Sequence, residues 1–150
     1  MAKFVYRMQN ILDIKYKLED QAKASYIQAK KYFDEQSAIL KSLMDIKEDY
    51  EKQLVAAMNS SLDIRKIKEL NNAVDVMTAK IEEQKKNVIK AYKRLNAAKE
   101  VLSKYMIERK THEKLRDNEF EEFLKELNAG EMKEVDELVS FRFNSGDEDE

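Results

Sequence analysis

The sequence predicts an all-α fold, a long two-helix antiparallel coiled-coil hairpin with a projecting C-terminal helical extension. The 150-residue chain has no proline and only two glycines, so few of its residues suit turns. Residues that favour helices, such as Ala, Glu, Lys, Leu and Gln, are common. Apolar residues recur at heptad spacing in two separate series, which is typical of helices that pair along a seam.

The first heptad series starts at Phe4 and proceeds in alternating steps of four and three residues. Twelve of its sixteen positions are apolar or aromatic. It predicts a helix over about residues 3–58, roughly 80 Å long at 1.5 Å per residue. The positions are Phe4, Met8, Ile11, Lys15, Leu18, Ala22, Ser25, Ala29, Tyr32, Gln36, Ile39, Leu43, Ile46, Tyr50, Gln53 and Ala57.

A flanking row of this helix, one residue further along, is also apolar or aromatic at six of eight places. One interpretation is a wide core stripe covered by lysine stems of the second helix. The other is surplus apolar surface that a further element or another protein covers. Phe33 and Leu40 are the candidate partner-binding residues on this surplus. The row is Val5, Leu12, Glu19, Tyr26, Phe33, Leu40, Lys47 and Leu54.

A turn is predicted at about residues 59–61, within the sequence MNSSLDI, because short polar side chains bond to nearby backbone. Ser60 with Asp63 resembles a capping box. A second helix is then predicted over about residues 62–128, antiparallel to the first. Eleven of twelve positions in its series are apolar or aromatic: Ile67, Leu70, Val74, Met77, Ile81, Gln84, Val88, Ala91, Leu95, Ala98, Leu102 and Tyr105.

The C-terminal part is predicted to project beyond the N-terminus, because this register places Phe4 near Leu115. Gly130 suits the end of a helix, and a short helix over about residues 131–142 is predicted to follow it. The coiled-coil stalk therefore spans residues 1–143.

Charge is distributed unevenly. Residues 131–150 carry eight acids and two bases, although the whole chain has a net charge of only −2. Residues 144–150 are predicted to form a disordered acidic tail. Residues 84–99 carry six bases and no acid, which indicates either a solvated helix face or a surface for an acidic protein partner.

No catalytic, cofactor or metal site is predicted. His112 is the single histidine and is expected to be solvated beside Glu113, while metal sites need several converging ligands and the chain has no cysteine. Two glycines are too few for a phosphate-binding loop, and a two-helix rod supplies no concave pocket. We expect a cytoplasmic protein that is not an enzyme, needs no cofactor, binds no nucleic acid and has no membrane insertion.

Both ends of the chain resemble one protein family. The opening FVYRMQNILDIK at residues 4–15, continuing to EDQAK at 19–23, is similar to the start of the bacterial flagellar export protein FliJ. The ending EVDELVSFRF at residues 134–143, before a polar tail, is similar to the end of that family. The central part is generic coiled coil, so the two ends make the resemblance specific.

The resemblance implies a soluble, stalk-like component of the flagellar type III export apparatus, peripherally associated with the inner face of the cell membrane. Its implied partners are the hexameric export ATPase FliI, the cytoplasmic domain of the export gate protein FlhA, and export chaperones that it escorts. Such a protein stimulates the ATPase and couples it to the gate.

The resemblance also implies contact residues. The gate contact maps to one stripe near the start of the second helix, formed by Ala73, Met77, Lys80 and Gln84. Ala73 stands where the family can have an aromatic residue. The ATPase contact maps to the paired terminal parts of the two helices, with Phe4, Met8, Leu12, Phe120 and Phe123 as candidates.

Two other classes remain open from the sequence. One is a structural coiled-coil scaffold or holdase chaperone outside flagella. The other is the equivalent stalk protein of a virulence type III secretion system.

Overall fold

The computed structural model describes residues 2–60 and 63–146, with side chains up to residue 142. Helix α1 runs over Gln9–Asn59 and helix α2 over Ile64–Gly146. No strand occurs in the described residues. The predicted all-α class is confirmed, and the two long helices pack against each other as a helical hairpin.

The chain divides into two compact units. The middle unit comprises Asp20–Lys104. The terminal unit comprises the residues up to Glu19 together with those from Tyr105 onward. Each unit therefore contains a stretch of α1 and a stretch of α2.

Pairing within the middle unit is antiparallel. The ring centroids of Phe33 and Tyr92 lie 5.9 Å apart, and the Nε2 of Gln84 donates to the Oε1 of Gln36 at 2.8 Å. Later residues of α1 thus contact earlier residues of α2, as the predicted hairpin requires.

The residues before α1 are not helical, although the sequence predicted a helix from about residue 3. Aromatic and β-branched residues at positions 4–6 are weak helix formers. Val5 is 75% exposed and the next residue, Tyr6, is 5% exposed, an alternation typical of an extended segment. The helix begins only at Gln9.

This non-helical start changes the partner of Phe4. A turn at residues 7–8 precedes the helix. An extended residue advances about 3.3 Å against about 1.5 Å in a helix, so the non-helical residues before the turn carry Phe4 farther along α2. Phe4 accordingly contacts Phe120 and Phe123, whereas the sequence placed it near Leu115.

Helix α2 begins with Asp63 as its N-cap. The Oδ1 of Asp63 accepts from the backbone N–H groups of Arg65 at 3.1 Å and Lys66 at 3.5 Å. The predicted capping residue, Ser60, instead follows α1 and donates its N–H to the carbonyl four residues earlier. The predicted turn at 59–61 ends at Ser61, which lies outside the described residues.

Helix α2 continues through Gly130, where the sequence predicted a break. No described glycine has a positive φ, and good helix formers on both sides offset the roughly 1 kcal/mol that glycine costs inside a helix. The predicted short helix at 131–142 is therefore part of α2. Residues 144–146 of the predicted tail also belong to α2, and residues 147–150 lie outside the described part.

The seam of α1 keeps one of its two predicted rows and replaces the other. In α2 the predicted series is buried or half-buried throughout. In α1 the predicted row that recurs every seven residues from Lys15 to Ala57 is also buried or half-buried, whereas the other predicted row is mostly exposed and the flanking row lies in the seam in its place from Leu12 onward. The buried or half-buried members of the flanking row are Leu12, Glu19, Tyr26, Phe33, Leu40, Lys47 and Leu54, and the exposed predicted residues are Met8, Ile11, Ser25, Tyr32, Ile39, Ile46 and Gln53.

Candidate functional site

Three phenylalanine rings join the N-terminal segment to α2 in the terminal unit. The ring centroid of Phe4 lies 5.1 Å from that of Phe120, in an edge-to-face arrangement, and 5.5 Å from that of Phe123. Each such pair adds about 0.5–1.5 kcal/mol beyond the burial of apolar area. The cluster holds a segment that makes few helical hydrogen bonds of its own.

A charged network lies deeper in the same unit. The guanidinium of Arg109 donates to the carboxylate of Glu19 through Nε and to that of Glu113 through Nη1, the latter at 3.1 Å. The hydroxyl of Tyr16 donates to the other oxygen of Glu113. Glu19 is a buried carboxylate, and charge pairing of this kind offsets its desolvation.

The network shifts the pKa values of its members. The hydrogen bond from Tyr16 lowers the pKa of Glu113 from its usual 4.5, and the hydrogen bond and charge of Arg109 lower it further against the opposing effect of burial. The same Tyr16–Glu113 bond raises the pKa of the Tyr16 hydroxyl. The bond to Glu19 raises the pKa of Arg109, so the network favours a charged carboxylate and a neutral phenol.

An open groove lies beside the phenylalanine cluster. Phe4, Tyr6 and Gln9 line one wall, and Arg116 and Phe120 line the other. The groove is therefore formed jointly by the start of the chain and by α2. It combines aromatic rings with the guanidinium of Arg116 and the carboxylate of Asp117, whose Nε and Oδ1 atoms lie 3.8 Å apart.

The structure brings together only part of the predicted ATPase-binding set. Phe4, Phe120 and Phe123 form one cluster in the terminal unit. Met8 is exposed in that unit, whereas Leu12 is completely buried. The two predicted surplus residues, Phe33 and Leu40, are half-buried seam residues of the middle unit.

The predicted gate-binding stripe does not form a continuous exposed surface. Gln84 is buried, and its Nε2 donates to the backbone carbonyl and side-chain oxygen of Gln36. Ala73 and Met77 are half-buried, and Lys80 is exposed.

The sequence did not identify the charged network. One signal was available, because seven-residue steps from Leu102 and Tyr105 place Arg109 and His112 in the seam. His112, expected to be solvated, is half-buried, and its buried Nδ1 has no hydrogen-bond partner in the described part. An arginine at a seam position calls for an acidic partner, and Glu19 is the acid in the flanking row of α1.

Across residues 2–60 and 63–146, no group of three or more His, Cys, Asp or Glu residues is arranged to hold a metal ion. In the same residues, neither helix contains a stretch apolar enough to cross a membrane.

The chain matches a family model over nearly its whole length. The model for the flagellar FliJ protein matches residues 4–148. The flagellar FliJ protein of Bacillus subtilis (strain 168) is 28% identical over 140 residues, covering 93% of this chain and 95% of the relative.

A solved structure has the same fold. It is described as a putative YscO homolog, CT670, from Chlamydia trachomatis, and its TM-score to this chain is 0.65 at 20% sequence identity. The match covers 99% of this chain and 100% of the other. The family match over residues 4–148 shows that this chain belongs to the flagellar FliJ protein family.

Proposed function

We propose that this FliJ-family component of flagellar protein export is a stalk that stimulates the export ATPase FliI and couples it to the export gate protein FlhA. The main support is the construction of the terminal unit. Phe4, near the start of the chain, lies against Phe120 and Phe123 of the second helix. The two ends that resemble the family thus contribute to a single unit.

Apolar side chains on the surface of this unit are the proposed contact with the ATPase. Val5, Met8, Phe120 and Leu124 are exposed there, and exposed apolar patches of this kind mark protein-binding surfaces. A non-catalytic stalk changes the activity of a ring only if it binds one conformation of the ring better than another. The part-buried network of Arg109 in the same unit is proposed to hold this surface in one arrangement.

The gate contact is proposed for the exposed part of the predicted stripe. Lys80, its exposed member, supplies the charge, and the half-buried Ala73 lies seven residues earlier in the same row of α2. Met77 and Gln84 support this row from the seam. Binding to the gate also explains the proposed peripheral association with the inner face of the cell membrane, and export chaperones are proposed as further partners.

The test is phosphate release by the purified cognate export ATPase with the full chain added. We expect stimulation by the native chain and loss of most of it in the double variant Val5→Ser, Leu124→Ser. The matched control, Ile27→Ser with Val76→Ser, removes exposed apolar residues from the middle unit and should stimulate normally. Circular dichroism checks that both variants keep their helices.

Two results would contradict the proposal. Full stimulation by the Val5→Ser, Leu124→Ser variant would show that the ATPase does not bind this surface. No stimulation by the native chain would favour a scaffold or holdase instead. Phosphate release by the chain alone would contradict its proposed lack of enzymatic activity. A pull-down of the FlhA cytoplasmic domain, weakened by Lys80→Glu but not by Lys86→Glu, tests the gate contact separately.

A further inference from the structure

One face of the middle unit has apolar residues that the hairpin does not cover. Tyr32 and Ile39 lie seven residues apart in the row of α1 next to the seam, and both are exposed. Val101 is exposed on α2. The guanidinium carbon of Arg94 lies 5.8 Å from the centre of the Tyr32 ring, so the row containing Tyr32 and the α2 row containing Arg94 and Val101 meet on one side of the seam.

This surface, the Tyr32 face, is basic. Arg94 lies directly over Tyr32, and Lys90, four residues earlier, lies on the same side of α2. Both belong to the stretch of residues 84–99, which has six bases and no acid. An apolar row beside Lys90 and Arg94, with Glu35 as its neighbouring acid on α1, fits a helix that has an apolar stripe and acidic residues placed toward the two bases.

The C-terminal segment of α2, residues 131–142, has those properties. Every residue in it is exposed, so the terminal unit does not bury it. Four acids, Glu131, Glu134, Asp136 and Glu137, accompany only two bases. Its apolar side chains are 57–72% exposed: Met132, Val135, Leu138, Val139 and Phe141.

We propose that residues 131–142 of one chain dock on the Tyr32 face of a second copy. The spacing agrees, because Tyr32 to Ile39 and Met132 to Val139 are both seven residues, about 10 Å along a helix. The charges agree, because the acids of the segment would lie beside Lys90 and Arg94. Docking would give each apolar row a partner that its own chain does not supply.

This self-association is separate from the proposed contacts with the ATPase and the gate. It uses neither the Phe4 cluster nor Lys80. It therefore stands or falls without those proposals, and the purified chain alone is sufficient to test it.

The first measurement is sedimentation of the full chain over about a hundredfold range of concentration. We expect reversible association that grows with concentration and weakens between about 0.05 and 0.5 M salt, because the docking pairs opposite charges. A monomer at every concentration would overturn the proposal. Docking of the segment within one chain would also overturn it, and would appear as protection of residues 131–142 from proteolysis without any change in mass.

The second measurement identifies the two surfaces by substitution. Lys90→Glu with Arg94→Glu should weaken association by about tenfold or more, since attraction becomes repulsion. The matched control, Lys86→Glu with Lys93→Glu, makes the same charge change in the same stretch but on the outer side of α2, and should keep most of the association. If both variants lost association equally, the effect would depend on the net charge of the stretch and not on the Tyr32 face, and the assignment of this face would be wrong.

Mixing provides the sharpest test. Leu138→Ser with Val139→Ser removes apolar side chains from the docking segment and leaves the Tyr32 face intact. Lys90→Glu with Arg94→Glu reverses the charge of the Tyr32 face and leaves the docking segment intact. Each variant alone should associate more weakly than the native chain by about tenfold or more, whereas a mixture should form mixed dimers, because one intact segment meets one intact face. Absence of mixed dimers from two folded variants would overturn the pairing, and circular dichroism shows whether both variants fold.

Discussion

The contacts that stabilise the middle unit differ in kind from those that stabilise the terminal unit. In the middle unit the contacts repeat, with small or aliphatic residues such as Leu70, Ile81 and Ala91 buried at heptad spacing. In the terminal unit the contacts are individual. A phenylalanine before the helix meets two rings of α2, and a buried carboxylate meets a particular arginine.

The difference shows which interactions a periodic pattern can report. A heptad repeat specifies which row of a helix is buried, but it does not specify which turn of the partner helix that row packs against. Apolar seam residues pack about equally well against any neighbouring turn of the partner. A buried ion pair is satisfied by one register only, because its alternative is an unpaired charge. The ion pair therefore sets the register in the terminal unit, while in the middle unit the buried Gln84, bonded to Gln36, is a polar contact among exchangeable apolar ones.

The largest effect is expected from an adjacent pair of residues in the terminal unit. Leu12 is 0% exposed and Ile11 is 39% exposed. Leu12→Ala should lower the free energy of unfolding by about 3 kcal/mol, since it leaves a cavity, whereas Ile11→Ala should cost about 0.5 kcal/mol or less. Urea denaturation measures the free energy of unfolding of both variants. A larger decrease for Ile11→Ala than for Leu12→Ala would show that the row predicted from the sequence, which contains Ile11, is the buried one.

The next largest effect concerns the buried ion pair. Arg109→Met should destabilise the chain clearly, because the buried Glu19 carboxylate loses its guanidinium. The double variant Glu19→Leu, Arg109→Met should be more stable than Arg109→Met alone, since no buried charge remains.

An exposed pair provides the control for this comparison. Lys52→Met breaks the surface pair with Glu48 and should change the free energy of unfolding by no more than about 0.5 kcal/mol. If Arg109→Met had an equally small effect, the network would be a surface feature, and the contrast between the two units would disappear.

The choice of seam shows where sequence reasoning reached its limit. The rows that begin at Phe4 and Val5 each contain six apolar or aromatic residues among eight, so counting cannot separate them. The structure buries the row with Glu19, because Arg109 on α2 neutralises that charge. That partner lies 90 residues away, and spacing within one helix contains no information about it.

Other features were predictable because they depend on local composition. The two long helices and their antiparallel pairing followed from the heptads and the lack of proline and glycine. The family resemblance implied Phe4, Phe120 and Phe123 as contact residues on the paired terminal parts of the helices. The packing of Phe4 against both other rings was not predicted, since the register placed Phe4 near Leu115. This packing depends on the non-helical start of the chain, which lengthens the reach of Phe4 along α2.

Acid should affect the terminal unit through Glu113. The hydrogen bond from Tyr16 makes its pKa lower in the folded chain than its usual 4.5. The resulting stability is present above about pH 4.5 and is lost as the pH falls through the folded-state pKa, because the unfolded chain takes up the proton first.

Two variants should reduce this acid dependence. Glu113→Gln removes the titrating group, and Tyr16→Phe removes the largest cause of its lowered pKa. Thermal melts between neutral pH and about pH 3 should therefore converge for the native chain and these variants as the pH falls. Glu122→Gln, on the exposed surface of α2, should follow the native profile, and an unchanged slope in Glu113→Gln would exclude this carboxyl as the cause.

The smallest effect is expected from a substitution at Gly130, in the exposed C-terminal part of α2. Gly130 lies inside α2, its φ is not positive, and a Cβ added there would meet nothing within 4 Å. Gly130→Ala should therefore stabilise the local helix by about 0.5–1 kcal/mol, because alanine loses less backbone entropy than glycine. Amide hydrogen exchange around this position should slow, and it should quicken in the reverse control Ala129→Gly. If a helix ended at Gly130, as the sequence predicted, and the glycine were left-handed there, the substitution would have the opposite sign, because alanine is strained in that conformation. Faster exchange in Gly130→Ala would thus show that α2 breaks at this residue and that residues 131–142 move as a separate helix.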